Sequence, residues 1–379
     1  MLMAHRSEQT AARSLCLRKI VKSYDNTNAV LKGIDLNVTA GEFLTILGPS
    51  GSGKTSLLML LAGFETPSSG QILFGDSDVS RLPPHKRNIG MVFQHYALFP
   101  HLTIGQNLTF PLEMRGWNRA DIIKRVAWAL DLVRLSGLES RRPAQLSGGQ
   151  QQRIAVARAL IFRPELVLMD EPLGALDKQL REQMQEEIAR LHRELQPTVV
   201  YVTHDQGEAI ALSDRVAVFE NGRISQIAPP RELYEAPGNA FVAGFIGENN
   251  RIPVRLVSSC LPASFMLDSR ETVLGVPVGV ETAGEECCLM VRPERLCCVT
   301  DRQALPSVVD VTVCGVTYHG DSIRVRAGTL DGRTELISRL SNDGHRSAPR
   351  IGDRILMGWR TEDARAFPNA SVKTSFLLS

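Results

Sequence analysis

The 379-residue sequence has no long hydrophobic run, no large excess of charge of one sign and no internal repeat. No segment approaches the roughly 18 consecutive apolar residues of a membrane-spanning helix, so we expect any work at a membrane to be done through other polypeptides. Residues 1–14 contain no apolar stretch of signal-peptide length. The net charge of +2 gives no argument for a nucleic-acid surface.

Cysteine is also sparse, and its number is odd. Seven cysteines in a chain without a secretion signal indicate a reducing compartment and free thiols. Two adjacent pairs, Cys287 with Cys288 and Cys297 with Cys298, suggest a metal site at first sight. Neighbouring residues in a strand point to opposite faces, however, so we expect these thiols to be small buried apolar groups.

The first two-thirds of the chain alternates strand and helix signals. Residues 42–47, 166–170 and 199–203 are short, almost continuous apolar runs, which predicts parallel strands covered on both faces. Residues 178–195 have the period of an amphipathic helix that ends before Pro197. Asn221 and Gly222 stand between two strand-like runs and predict a hairpin turn.

A helical subdomain is predicted at about residues 95–150, inserted into this α/β core. No strong strand signal occurs there, and apolar residues recur at helical spacing. That set comprises Ile122, Ile123, Val126, Ala127, Leu130 and Val133.

After about residue 240 the pattern changes to short alternating segments with turn signals such as Asp331-Gly332, which favours a small all-β domain. The predicted domains are therefore residues 15–240 and 241–379. Apolar and charged fractions of 43% and 22% fit a globular protein of two or three domains.

The sequence GPSGSGKT matches the phosphate-binding loop pattern at every fixed position. Its glycines allow backbone N–H groups to surround a phosphate at the positive end of the next helix. Lys54 is expected to reach the β- and γ-phosphates, and Thr55 to offer its hydroxyl to Mg²⁺. An ordinary glycine turn before a helix is the alternative. The predicted nucleotide-binding residues are Gly48, Pro49, Ser50, Gly51, Ser52, Gly53, Lys54, Thr55 and Ser56.

Two adjacent carboxylates, Asp170 and Glu171, follow the apolar run LVLM. We expect them at the carboxyl end of a buried strand, the edge at which open parallel sheets bind ligands. Asp170 fits a Mg²⁺-binding role, and Glu171 is then free to orient or deprotonate the attacking water. The alternative is that one acid caps a helix before Pro172, which applies better to Glu171.

His204 follows another apolar strand, VVYVT, where contact with a γ-phosphate is expected. Taken alone, it is more consistent with a packing or capping histidine. Gln94 follows the apolar segment MVF and is uninformative by itself.

A second glycine-rich turn, LSGGQ, precedes a helical segment and also presents N–H groups to an anion. Because one nucleotide has one γ-phosphate, the economical arrangement brings this turn from a second copy over the nucleotide of the first, twice by two-fold symmetry. A simple helix cap is the alternative. The residues concerned are Ser147, Gly148, Gly149 and Gln150.

These motifs, in this order, resemble those of ATP-binding cassette (ABC) ATPase subunits over residues 15–240. The resemblance implies a phosphate-loop NTPase fold of the α/β class with Mg²⁺ and ATP at the site. It implies Mg²⁺ contacts from Thr55, Gln94 and Asp170, and catalytic roles for Gln94, Glu171 and His204. It also implies a signature acting across a dimer and a loop aspartate at Asp177. Tyr24 stands where the family stacks an aromatic ring on adenine, although a half-buried tyrosine is the ordinary alternative.

The C-terminal region resembles the OB-like β-barrel called TOBE in importer ATPases, through LMVRPERL and VTYHGDSIRV. Within those segments, Arg292 and Glu294 are equally consistent with a solvated loop. The barrel is expected either to extend a dimer interface or to bind a regulator. The segments FPHLTIGQNLTFPL and GENNR are similar to the spermidine/putrescine branch, with ferric-iron, sulfate/thiosulfate, phosphonate and sugar importers close by.

The resemblance implies an ATP-hydrolysing importer subunit on the cytoplasmic face of the inner or plasma membrane. Its expected partners are a second copy, two separate transmembrane permease subunits touched near residues 96–108, and an extracytoplasmic solute-binding protein reached through the complex. Nucleic acid is not expected. A soluble non-transport ABC ATPase is a rival, but such proteins usually carry two cassettes or long coiled coils. A kinase or GTPase would not need LSGGQ.

Overall fold

A computed structural model describes residues 12–25, 27–342 and 348–369. Within these limits the chain divides into a first unit that ends at Pro230 and a second unit that begins at Arg231. The first unit contains strands β1 (Leu15–Ser23), β2 (Ala29–Val38), β3 (Phe43–Leu47), β4 (Ser69–Phe74), β5 (Ser77–Asp78), β6 (Ile89–Val92), β7 (Leu166–Asp170), β8 (Thr198–Thr203), β9 (Arg215–Glu220) and β10 (Arg223–Ala228). Its helices are α1 (Lys54–Ala62), α2 (Ile104–Glu113), α3 (Arg119–Leu132), α4 (Gly148–Leu160), α5 (Lys178–Leu195) and α6 (Gln206–Leu212).

The main sheet of the first unit has six strands in the order β10-β9-β3-β8-β7-β6. All neighbours are parallel except β10, which pairs antiparallel with β9 through the turn at Asn221 and Gly222. Both turn residues have positive φ, as the hairpin prediction requires. Strands β3 and β8 are buried at every position, which confirms the prediction of a parallel core covered on both faces.

A second sheet in this unit, β2-β1-β4-β5, is antiparallel and packs with α1 around a common apolar cluster. Arg87 stabilises the end of α1, because its guanidinium donates to the carbonyls of Leu60 and Leu61 at 2.6 and 2.8 Å. These carbonyls lie in the last turn of the helix, where intrahelical donors are few, and the Leu60 carbonyl also accepts from the cap N–H of Gly63 at 3.2 Å. The helix that follows the phosphate-binding loop is therefore fixed at its far end.

Helices α2 and α3 occupy the predicted helical region and pack with α4 against the main sheet. Four of the six apolar residues named for this region, Ile122, Val126, Leu130 and Val133, are buried, and the other two are not. Ile123 is 63% exposed and Ala127 is exposed, whereas Arg125 is buried. The Arg125 guanidinium lies 3.4 Å from the ring centroid of Trp128 and donates to the carbonyl of Ile161, so an aromatic and a polar contact add to the apolar packing of this helix.

The second unit is mostly β-structure. Its helices are α7 (Pro230–Glu235) and α8 (Ala240–Phe245), and its strands are β11 (Asn250–Ser258), β12 (Ala263–Leu267), β13 (Thr272–Pro277), β14 (Glu286–Val291), β15 (Cys297–Val299), β16 (Ser307–Tyr318), β17 (Ser322–Thr329), β18 (Glu335–Ser341), β19 (Arg354–Trp359) and β20 (Ala364–Pro368). Strands β11-β12-β13-β20-β14 close into a barrel, and β15-β19-β16-β17-β18 form a sheet. Burial alternates along β11, as expected for a barrel strand with one face inward.

The adjacent cysteines of β14 point to opposite sides and are buried, as predicted, whereas in β15 Cys298 is half-buried and Cys297 is exposed, so the prediction of a buried thiol is wrong for Cys297. Cys287 packs into the barrel core, and Cys288 packs into a separate cluster with Ala240, Ala243 and Phe367. Burial raises the pKa of each thiol to about 11, so both are protonated and unreactive near neutral pH.

Among the described residues, no helix is long and apolar enough to cross a membrane.

Arg292 is a buried structural residue rather than part of a solvated loop. It is 7% exposed and donates to the carbonyl of Ile246 at 2.7 Å and to that of Tyr234 at 2.7 and 3.1 Å. Its guanidinium also stacks on the Tyr234 ring, 3.5 Å from the centroid. One side chain therefore fastens the ends of α7 and α8 to β14.

Replacing Arg292 with Met is expected to destabilise the second unit by about 2–4 kcal/mol, because two carbonyls lose a buried charged donor. Hydrogen exchange of peptides covering residues 231–246 measures the effect. The matched control is Arg231→Met on α7. The Arg231 side chain is 85% exposed, so this substitution should leave hydrogen exchange unchanged. Equal protection in wild type and Arg292→Met would contradict this role.

Candidate nucleotide site

Four adjacent strands of the main sheet end at one edge, and each is followed by a residue or motif singled out from the sequence. The phosphate-binding loop follows β3, His204 follows β8, Asp170 ends β7, and Gln94 lies just after β6. The strand register pairs Leu47 with Thr203 and places Asp170 beside Val202. Because the strands are parallel, these groups share the carboxyl edge at which such sheets bind ligands.

The loop from Gly48 to Gly53 leads directly into α1. Gly53 occupies the N-cap position with φ of +102°, and a Cβ there would lie 2.9 Å from Leu31 Cδ2, so both conformation and space require glycine. No side chain caps this helix and no acid lies in its first turn. The exposed loop residues Pro49, Ser50 and Gly51 and the exposed Thr55 thus surround a helix start suited to an anion.

Buried polar groups beside the loop are incompletely satisfied. Lys54 is 5% exposed and donates to the carbonyls of Gly48 and Pro49 at 2.8 and 2.9 Å. Burial lowers the pKa of Lys54. Ser52 Oγ and Asp170 Oδ1 are buried and have no hydrogen-bond partner among the described residues. Burial, reinforced by the neighbouring Glu171 carboxylate, raises the pKa of Asp170.

This arrangement fits a divalent cation held with a phosphate. An unpaired carboxylate oxygen and a hydroxyl are the hard oxygen donors that Mg²⁺ prefers. A cation would relieve the repulsion between Asp170 and Glu171, while a phosphate would complement Lys54 and the free N–H groups of α1.

Glu171 lies between the two other residues predicted to be catalytic. His204 Nδ1 is 3.1 Å from Glu171 Oε1, and Gln94 Nε2 donates to Glu171 Oε2 at 3.4 Å. Glu171 has φ of +41°, and its N–H donates to the carbonyl of Val202 on β8 at 2.9 Å. A non-glycine residue in this conformation is unusual, so the main-chain bond to β8 helps to hold the carboxylate in place.

The LSGGQ turn begins α4. Ser147 and Gln150 form a capping box in which Ser147 Oγ accepts from the Gln150 N–H and Gln150 Oε1 accepts from the Ser147 N–H. A Cβ at Gly149 would lie 2.8 Å from Leu180 Cδ1, which explains glycine at that position. The helix cap anticipated as an alternative is therefore present, and the exposed Ser147 and Gly148 remain accessible beside it.

Asp177 and Tyr24 have ordinary structural contacts. Asp177 caps α5, because its Oδ1 accepts from the Leu180 N–H at 2.9 Å. Tyr24 is 60% exposed, and its hydroxyl bonds the Glu65 carboxylate at 2.8 Å and lies 3.4 Å from Ser56 Oγ in the first turn of α1. The exposed ring thus lies near the start of the helix that follows the phosphate-binding loop.

The side chains that contact the residues on either side of His204 were not identified from the sequence. Glu208 is 2% exposed and accepts from the hydroxyls of Tyr201 and Thr203, both at 2.7 Å. Arg181 on α5 donates to Asp205, the residue after His204, at 3.0 Å. The acidic spacing of Asp205 and Glu208 at a helix start was a readable signal, but their contact with α5 was not.

Comparison with known proteins identifies the same two regions. A family model described as ABC transporter matches residues 31–174, and one described as TOBE domain matches residues 289–367. The spermidine/putrescine import ATP-binding protein PotA of Acidothermus cellulolyticus is 44% identical over 92% of each chain. The corresponding PotA 1 of Pseudomonas aeruginosa is 43% identical over 87% of this chain and 90% of its own length.

A solved structure, the dimeric post-hydrolysis state of an ATP-binding cassette bound to ADP and phosphate, is similar to 57% of this chain and 99% of its own. Its TM-score is 0.51 at 32% identity.

The raised pKa of the buried Asp170 carboxylate predicts that the free energy of unfolding depends on pH. Because folding raises this pKa above its ordinary value of 3.8, the ionised form destabilises the folded state at neutral pH, and the penalty disappears as the pH falls through the folded and then the unfolded pKa. Asp170→Asn should raise the Tm of the nucleotide-free protein in EDTA at pH 7, and the gain should shrink toward acidic pH.

The control for that measurement is Asp131→Asn, an exposed carboxylate on α3. It should leave Tm near the wild-type value at both pH values. A lower Tm for Asp170→Asn at pH 7 would show that the Asp170 carboxylate is already satisfied without a cation.

Proposed function

The chain belongs to the ABC transporter family, and from that premise we propose that it is the ATP-hydrolysing, energy-coupling subunit of a binding-protein-dependent importer. The observation that carries this proposal is the position of Glu171, held between Gln94 and His204 at the sheet edge that also carries the phosphate-binding loop. A phosphate cradle alone would support binding. A carboxylate fixed beside it supplies a base for hydrolysis.

ATP binding is assigned to the loop and the start of α1. Backbone N–H groups of the loop and of the start of α1 would surround the phosphates, and Lys54 would exchange its bonds to two loop carbonyls for bonds to the β- and γ-phosphates. Tyr24 offers an exposed ring for the adenine base near Ser56. The remaining loop residues shape the cradle.

Thr55, Gln94 and Asp170 would hold Mg²⁺, which when bound with ATP neutralises charge on the phosphates. Asp170 supplies the buried carboxylate oxygen without another partner, and Thr55 an exposed hydroxyl. Gln94 contributes its amide oxygen, since its amide nitrogen faces Glu171.

Hydrolysis is assigned to Glu171 as the base that orients and deprotonates the attacking water. Gln94 and His204 hold the two carboxylate oxygens from opposite sides, which keeps the carboxylate directed to one place. His204 is 58% exposed in its side chain and can turn toward the γ-phosphate when the nucleotide is bound. The proton leaves the water as its oxygen bonds to the γ-phosphorus, and the bond to the ADP oxygen breaks.

Two copies would complete each site. The signature residues Ser147, Gly148, Gly149 and Gln150 form a second glycine-rich helix start in a chain that has one phosphate-binding loop. A two-fold dimer places each signature over the partner's nucleotide, with Asp177 in the adjoining loop. The similar cassette solved with ADP and phosphate is itself described as dimeric.

Two separate transmembrane permease subunits are the proposed partners at the cytoplasmic face of the membrane. The helical region at 95–150 carries exposed apolar side chains near its predicted contact, including Phe110, Met114 and Trp117. A solute-binding protein acts through the assembled complex. Nucleic acid is not among the proposed partners, because the near-neutral net charge gives no argument for a nucleic-acid surface.

The proposed solute is a polyamine, because the full-length relatives compared above are named as spermidine/putrescine import proteins. Ferric iron, sulfate or thiosulfate, phosphonate and sugar are the alternatives. For the β-rich second unit we propose regulation of the ATPase or support of the dimer.

Replacing Glu171 with Gln should lower kcat for ATP hydrolysis by about 10²–10⁴-fold, because the amide cannot accept the water proton. ATP binding should be retained, because Lys54 and the phosphate-binding loop are unchanged. Steady-state phosphate release and equilibrium binding of ATP measure the two effects. Hydrolysis at the wild-type rate would exclude Glu171 as the base.

The transport role is tested by purifying the complex through a tag on this chain and reconstituting it in liposomes. We expect co-purified membrane subunits and ATP-dependent uptake of labelled spermidine in the presence of the binding protein. The matched complex carrying Glu171→Gln should show no uptake. Uptake of sulfate or ferric iron instead would change the solute, whereas co-purification with ribosomes would overturn the importer assignment.

A further inference from the structure

Arg181, in the first turn of α5, connects two loops at the sheet edge. Its Nη2 donates to the carbonyl of Leu176, immediately before Asp177, at 3.1 Å. Its Nη1 donates to Asp205 Oδ2, immediately after His204, at 3.0 Å. A single side chain therefore joins the segment containing Asp177 to the segment containing His204.

The His204 end of this connection is held firmly. The Asp205 N–H donates to Thr203 Oγ1 at 3.0 Å, and Asp205 Oδ1 accepts from the Glu208 N–H at 3.1 Å. The buried Glu208 carboxylate accepts from Thr203 Oγ1 and lies 3.8 Å from Arg181 Nε. Thr203 and Asp205, the residues on both sides of His204, thus belong to one network with Arg181.

The Asp177 end touches the signature turn of the same chain. Leu176 Cδ2 lies 3.8 Å from the position of a Cβ on Gly148, and Leu180 packs closely against Gly149. Asp177 caps α5 between these two leucines. The carbonyl to which Arg181 is bonded thus belongs to Leu176, whose side chain lies beside the signature turn.

We propose that Arg181 is a positioning residue that couples the Asp177 loop and the signature turn to the orientation of His204. This inference rests on the proposed function, in which His204 and Asp177 belong to a hydrolytic site completed by a second copy. Arginine suits the task because its planar fork bonds a carbonyl and a carboxylate at once in fixed directions. Lysine would keep the charge beside Asp205 but would not fix both directions.

The test compares Arg181→Met, Arg181→Lys, Asp205→Asn and the Arg181→Met/Asp205→Asn double variant. We expect Arg181→Met to lower kcat for ATP hydrolysis about tenfold, with the ATP dissociation constant within about twofold of wild type, because the contacts of Arg181 go to the two loops and Glu208. Arg181→Lys should recover part of kcat. The double variant should lose no more than Arg181→Met, because the two residues act through one contact.

A purely structural role would lower Tm without this pattern. Adding Arg181→Met to His204→Ala should therefore change single-turnover hydrolysis by less than about twofold if the effect passes through His204. The matched control is Arg193→Met, an exposed arginine on the same helix, which should leave kcat unchanged.

Wild-type kcat in a folded Arg181→Met variant would overturn the inference. Two further results would overturn it. One is a loss of kcat in the Arg181→Met/Asp205→Asn double variant equal to the product of the two single losses. The other is a single-turnover rate about tenfold lower in His204→Ala/Arg181→Met than in His204→Ala. A wild-type chain without ATPase activity would overturn the proposed function itself, and so that failure is distinguishable from failure of the Arg181 role alone.

Discussion

The placement of unbalanced charge and unpaired polar atoms at one edge of a parallel sheet is the constraint on which the site depends. Asp170 and Glu171 are adjacent, Asp170 has a buried oxygen with no donor among the described residues, and Lys54 is buried against loop carbonyls. Burial disfavours the charged form of both Lys54 and Asp170. A phosphate bound with a cation would relieve both costs, which favours at this edge the ligand that the motifs predict.

The parallel topology explains why the site was readable from the sequence. Each functional segment directly follows a short apolar run, and parallel strands carry such segments to a common edge. The bounds of α5 and the Asn221-Gly222 hairpin were predictable for a different reason, because helix caps and turn residues are local signals. The hydrogen bonds of Glu171 to Gln94 and to Val202 depend on strand order, which no local signal fixes.

What the sequence did not reveal depends on contacts between distant segments. The apolar periodicity of α3 does not indicate that Arg125 is buried, because its contacts with Trp128 and Ile161 involve side-chain and main-chain partners that the sequence does not bring together. From the sequence alone, Arg292 is equally consistent with a loop residue, because the sequence does not indicate its carbonyl acceptors. The roles of Arg181 and Glu208 likewise follow only from the contact between α5 and the segment after His204.

The two glycine-rich helix starts differ in a way that bears on assembly. The helix after the phosphate-binding loop has no side-chain cap, whereas the signature helix is capped by Ser147 and Gln150 and packs on Leu180 of its own chain. We propose that the first receives phosphate within one chain and that the second, a capped and partly exposed turn, contacts a neighbouring copy. On this proposal each completed site requires two chains.

Sedimentation equilibrium of the Glu171→Gln chain with Mg²⁺ and ATP tests that requirement most directly. We expect twice the monomer mass with nucleotide, a smaller dimer fraction without it, and loss of this nucleotide-dependent increase when Ser147 is replaced by Arg. A Glu171→Gln chain that stays monomeric with bound ATP, while the wild type hydrolyses ATP at a rate independent of protein concentration, would contradict it.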